Sequence, residues 1–143
     1  MTVDVSHIRT MVVDDSPRFI RTVCCFLAQC KAVDVVATAN GANEALRAVE
    51  RLRPDLVLLD FHMPLVNGLK AMELIRRRSP STRVVIITGY DSAELREASL
   101  ESGALAFIPK LYVSRELPHL LAEIAASLAA NEVTEIKTVS MQK

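Results

Sequence analysis

Five polar residues stand just beyond short apolar runs, and together they could handle a phosphoryl group. Asp14 and Asp15 follow the run 8–13, and Asp60 follows 56–59. Thr88 follows 84–87, and Lys110 comes after 104–108 and one proline. Three carboxylates at one edge repel each other unless something positive joins them. A hard divalent cation with oxygen ligands relieves that repulsion, and magnesium suits one or two carboxylates plus water and phosphate oxygens. Lys110 adds a point charge for a phosphoryl oxygen, and Thr88 adds a hydroxyl donor. A carboxylate held beside such a cation can attack phosphorus and become an aspartyl phosphate.

Those residues meet only if the elements between them fold in the right order. The apolar runs 8–13, 33–37, 56–59, 84–87 and 104–108 read as five strands. Between them lie amphipathic stretches with a 3.6-residue stripe. Ser16 and Pro17 open the first of these, with Phe19, Ile20, Val23, Cys24, Phe26, Leu27 and Cys30 in its apolar stripe. The second, 42–53, stops at Pro54, and the third follows Asn67-Gly68. Asp91 or Ser92 opens the fourth, with Gly103 as its stop, and Ser114 opens the last, through Ala130. Five βα units with continuous apolar strands predict an α/β fold, a doubly wound five-stranded parallel sheet with helices on both faces. Such sheets bind ligands beyond the carboxyl ends of their strands, where the five polar residues stand.

Composition narrows the classes. The 143 residues are one domain's worth. Hydrophobic residues make up 50% and charged residues 24%, so the chain can build a core. Lys+Arg and Asp+Glu are both 17, so no bulk charge draws it to nucleic acid or an anionic membrane. The 3 Cys, Cys24, Cys25 and Cys30, crowd one stretch and form no disulfide framework. No apolar run is long enough to span a bilayer, and the first ten residues do not read as a signal peptide. A cytoplasmic protein is expected.

The motifs VVDDSPR (12–18), LVLLDFHMPLVNG (56–68), VVIITGY (84–90) and AFIPK (106–110) occur in one order and at one spacing. In that respect the chain resembles the receiver domains of bacterial two-component response regulators, single-domain chemotaxis-type receivers among them. The resemblance covers 8–130 as the receiver and leaves 131–143 as a flexible tail or short extension. It implies the flavodoxin-like (βα)5 fold with strand order 2-1-3-4-5. It implies Asp60 as phosphoacceptor, and Asp14 and Asp15 as the acidic pair for magnesium, helped by the main-chain carbonyl of His62. Thr88 and Lys110 would engage the phosphoryl group. Phe107 would take the place of an aromatic ring that moves inward on activation, without the hydroxyl of the commoner tyrosine. Leu111 stands where many receivers have proline. His62 and Tyr90 would flank the path of attacking water and tune dephosphorylation, here by shielding.

Each residue also has a plainer reading. Asp14 and Asp15 suit any helix start, and Thr88-Gly89 is ordinary turn chemistry. Arg76-Arg77-Arg78 suits a helix C-terminus better than a nucleic-acid patch. Met11, Met63 and Met72 are expected to fill gaps. The joint placement of the polar residues favours the phosphoryl site. The expected function is a phosphorylation-activated switch that takes its phosphoryl group from a sensor histidine kinase or a histidine phosphotransfer protein. A downstream protein would then bind the face made by the fourth helix, fifth strand and fifth helix. Direct nucleic-acid or membrane binding is not expected, and a homodimer is compatible with the sequence. The chain is expected to be no enzyme beyond its own phosphorylation and dephosphorylation. A phosphorylation-independent pseudo-receiver scaffold is the alternative. A haloacid-dehalogenase-type phosphatase is less favoured, because Asp14-Asp15-Ser16 does not fit that family's DxDx[TV] motif.

Overall fold

A computed structural model describes residues 7–141 of the chain. Five strands and five helices alternate: β1 (Ile8–Val13), α1 (Pro17–Leu27), β2 (Val33–Ala39), α2 (Ala42–Leu52), β3 (Leu56–Asp60), α3 (Gly68–Arg78), β4 (Arg83–Thr88), α4 (Ala93–Glu101), β5 (Ala106–Pro109) and α5 (Val113–Met141). The strands form one parallel sheet in the order β2-β1-β3-β4-β5. The doubly wound fold and its strand order match the sequence reading.

Strand pleating divides the core in two, because successive side chains point to opposite faces. Val57 and Leu59 of β3 pack with Val49 and Ile75 on one side. Leu56 and Leu58 pack with Leu27 and Leu117 on the other. β3 is buried at every position, as a central strand with two covered faces must be. β2 is not. It is an edge strand, and Asp34, Val35 and Thr38 are exposed.

The helix starts follow their caps. Ser16, Asn67 and Ser92 each accept a main-chain N–H from three residues on, at Phe19, Lys70 and Leu95. α1 ends at Leu27, and Cys30 lies in the turn beyond it. α4 ends before Gly103, whose φ of +106° suits glycine. A 3-10 turn, Lys110–Tyr112, precedes α5. α5 has 29 residues and continues past Ala130, where the sequence reading ended it. The weak spacing of Val133, Ile136 and Val139 lies outside the described side chains. Among the described residues no helix is long and apolar enough to cross a membrane.

Candidate functional site

Register places the site. Val13 pairs with Leu59, so Asp14 and Asp60 leave adjacent strands at the same level. Asp60 pairs with Ile87, one residue before Thr88, and Thr88 pairs with Pro109, one residue before Lys110. Four segments distant in sequence thus end at one edge.

The edge holds an acidic pit. Oxygens of Asp14, Asp15 and Asp60 all lie within 4.8 Å of one another. Asp14 and Asp60 are buried, and Asp15 is exposed. Asp14 serves two purposes. Its Oδ1 accepts the Ser16 N–H at 2.8 Å, which supports the start of α1. Its Oδ2 is the atom that faces Lys110, with Nζ at 2.9 Å. The plainer reading of Asp14 as a helix-start residue is therefore correct for one oxygen.

Asp60 is held less tightly. Its Oδ1 accepts the His62 N–H at 3.3 Å and lies 3.9 Å from Lys110 Nζ. Burial pushes its carboxyl up to about 7, and the neighbouring Asp14 adds to the rise. Lys110 and the His62 N–H pull the other way, and Asp15 adds a smaller push upward. A second cation beside the carboxylates would lower it.

Lys110 is guided from a direction that sequence reading missed. Its ammonium lies 4.3 Å from the centroid of the Phe19 ring, in the first turn of α1. In the sequence, Phe19 stands out only as one position of an apolar stripe. Thr88 is fully buried, and its Oγ1 accepts the Tyr90 N–H at 3.1 Å.

His62 and Tyr90 form an edge-on aromatic pair, with ring centroids 4.9 Å apart. Phe61 also packs edge-on against His62, at 4.9 Å. The loops after β3 and β4 are thereby joined. In the first of these loops, Val66 donates its N–H to Pro64 O at 2.9 Å around Leu65, a γ-turn whose central φ is +75°. Gly68 closes the loop. A Cβ there would stand 2.7 Å from Phe61 Cα, so the close approach requires glycine.

Phe107 is buried, at 2% exposure, in this arrangement. Arg96 of α4 lies over its ring and was not singled out by sequence. Helix α4 reads AELREASLE and gives no periodic signal that would mark its single arginine.

Other candidates are accounted for. Arg77 pairs with Glu73, Arg78 with Glu50, and Arg76 donates to Ser102 O, which favours structural duties over a nucleic-acid patch. The three cysteines are free, and burial raises the Cys24 thiol, with Cys25 adding to the rise. Met11, Met63 and Met72 are buried in the core.

The donor set fits a hard cation. Three carboxylates converge, and Asp14 Oδ2 is buried without a hydrogen bond of acceptable geometry despite the ammonium beside it.

Fold and site together define a doubly wound α/β protein with a cation-seeking acidic pit beyond the carboxyl ends of its strands. The chain belongs to the response regulator receiver domain family, whose pattern matches residues 10–122, and it is a receiver domain of two-component signalling. Receiver domains bind magnesium at an acidic pocket of this kind. The chain is 36% identical over 107 residues to protein-glutamate methylesterase/protein-glutamine glutaminase 4 of Hahella chejuensis, covering 73% of this chain and 27% of that protein. It is 37% identical over 133 residues to a protein-glutamate methylesterase/protein-glutamine glutaminase of Haloarcula marismortui, covering 88% of this chain and 36% of that protein. The chain thus spans about a third of the length of these curated relatives. The receiver domain of the response regulator NarL from Mycobacterium tuberculosis superposes with a TM-score of 0.77 at 29% identity, covering 85% of this chain and 98% of that one.

These relatives correct one expectation. The chain was read as no enzyme beyond its own phosphorylation, yet the curated proteins it matches carry an enzyme's name. The receiver portion is what they share with it. Sequence reading could not find this, because nothing within a receiver's pit names the catalytic domain that a relative joins to it.

Proposed function

We propose that the chain is a phosphorylation switch in which Asp60 accepts a phosphoryl group with magnesium present. The observation that carries this reading is the pit of three carboxylate oxygens within 4.8 Å, with the Lys110 ammonium at 2.9 Å from Asp14 and 3.9 Å from Asp60. Asp14, Asp15, Asp60 and the main-chain carbonyl of His62 would hold the metal. Magnesium would supply charge neutralisation for the transferring phosphoryl oxygens. An Asp60 carboxylate oxygen forms the new P–O bond while the P–N bond of a phosphohistidine donor breaks. Lys110 and Thr88 then engage the phosphoryl oxygens as ammonium and hydroxyl donors. His62 and Tyr90 lie paired across two of the surrounding loops and would slow water's approach.

The donor is a sensor histidine kinase or a histidine phosphotransfer protein. Output passes through the face formed by α4, β5 and α5, where Leu100 and Leu105 are exposed. The relatives' name supplies one class of effector, a glutamate methylesterase/glutamine glutaminase regulated by the switch. Three unbridged thiols fit a cytoplasmic location.

Intact mass with acetyl phosphate and magnesium tests the reading. A single phosphoryl adduct is expected, absent without magnesium and absent in Asp60→Asn. No adduct from either acetyl phosphate or a phosphohistidine donor, on a folded protein, would move the reading to the scaffold.

A further inference from the structure

Phe107 has no hydroxyl to anchor it, yet it is buried. One side chain grips it twice. The Arg96 guanidinium carbon lies 4.9 Å from the Phe107 ring centroid. Arg96 Nη1 donates to the main-chain oxygen of the same residue at 3.3 Å. Its other terminal nitrogen, Nη2, lies 3.9 Å from Asp91 Oδ1, in the loop that joins Thr88 to α4. Ring, strand and loop therefore meet on one planar fork, a geometry that arginine offers and lysine does not.

The helix that supplies this arginine is lightly anchored. Among the residues of α4 only Ser99 is buried. Ser99 Oγ has no hydrogen-bond partner, and what ties α4 down besides Arg96 is Leu95 against the core and the Ala104 N–H donated to Ser99 O at 3.0 Å. Arg96 also borders the groove that includes Leu100 and Leu105, on the face read above as the output surface.

We propose that Arg96 is a positioning residue that locks the Phe107 ring inward before any phosphorylation and ties it through Asp91 to the loop after Thr88. The lock takes over the anchoring that a hydroxyl would give. It rests on the proposed function only for its consequence, since Thr88 is the residue that would meet the phosphoryl group. A cation over an aromatic face together with a charge-assisted hydrogen bond biases the ring inward by about tenfold or more.

The test labels all phenylalanines with 4-fluorophenylalanine and reads them by fluorine NMR. The chain has four, Phe19, Phe26, Phe61 and Phe107, and the Phe107 signal is the one lost in Phe107→Leu. In the wild type that signal is expected to be single and protected from a dissolved paramagnetic agent. In Arg96→Met it is expected to shift or split, with relaxation by the agent rising about threefold or more as outward rotamers fill. Arg96→Lys keeps the charge without the fork and is expected to fall between. Asp91→Asn is expected to give a smaller shift in the same direction, and it serves should Arg96→Met fail to fold. Signals from the other three rings report global loosening and should not move. A Phe107 as protected in the folded variants as in the wild type overturns the lock. Beryllofluoride with magnesium separates the two readings. A wild type that fails to bind this phosphoryl mimic ends the proposed function, while the lock stands or falls on the fluorine result.

Discussion

Lys110 makes its closest approach to Asp14, at 2.9 Å, and stands 3.9 Å from Asp60. The ammonium occupies the acidic pit as an internal counter-cation. A metal entering the pit meets a carboxylate that is already paired, so lysine and metal compete for Asp14.

That competition gives the first prediction. Lys110→Ala should tighten magnesium binding several-fold, because a positive charge about 4 Å away is removed. The same change should lower stability in chelator by about 1–3 kcal/mol, since it leaves buried carboxylates without their cation. Calorimetric titration with magnesium and urea unfolding in chelator would read the two effects. Weaker magnesium binding in Lys110→Ala would refute the competition.

Asp60 gives a pH dependence. In the folded, metal-free chain its carboxyl is pushed up to about 7, against 3.8 for an ordinary aspartate. Between those values the folded state holds a proton that the unfolded state has lost. The stability contributed by this group is therefore complete below about pH 4 and is lost as pH rises through about 7. The loss is on the order of 2–4 kcal/mol. Asp60→Asn should lack this slope and should be more stable than wild type at pH 8 in chelator. Urea midpoints from pH 5 to pH 8 would show it, and equal midpoints at pH 8 would remove the argument. Magnesium should narrow the gap, because it binds the folded site.

The aromatic pair across the loops bears on the lifetime of an Asp60 phosphate. With both His62 and Tyr90 replaced by alanine, loss of phosphate should quicken by about 3- to 10-fold as water gains access. The decay of the phosphorylated mass after donor removal is the measurement, and an unchanged rate would exclude shielding.

Leu65 is fully exposed and sits at φ +75°, where a side chain gains nothing from packing and strains the backbone. Leu65→Gly should raise stability by about 1 kcal/mol, with strain relief outweighing glycine's entropy cost. A lower thermal midpoint would show that the leucine is held by contacts in the folded chain.

The sheet was legible because a parallel strand covered on both faces must be apolar throughout, as in β3. The site was legible because parallel strands bring their carboxyl ends to one edge, so the residue after each strand could be named without coordinates. β2 was read too generously, since an apolar run does not reveal whether its strand lies at the rim. The burial of Asp14 and the exposure of Asp15 depend on how the chain leaves β1, and two adjacent aspartates give no clue to that. Arg96 was invisible for a different reason. Its partners are a main-chain oxygen and a ring on another element, and one arginine in a mostly polar helix leaves no pattern. α5 outran its reading because no glycine or proline follows Ala130 to stop it.

The strand order has a consequence for synthesis. The acidic residues of the pit come from β1 and β3, but their ammonium partner comes after β5. A chain emerging from the ribosome presents Asp14, Asp15 and Asp60 well before Lys110. Until Lys110 is made, those carboxylates have no lysine beside them, and a β1–β3 pairing that gathers them must close against their mutual repulsion. The nascent receiver thus acquires its own counter-charge only after β5 has been made.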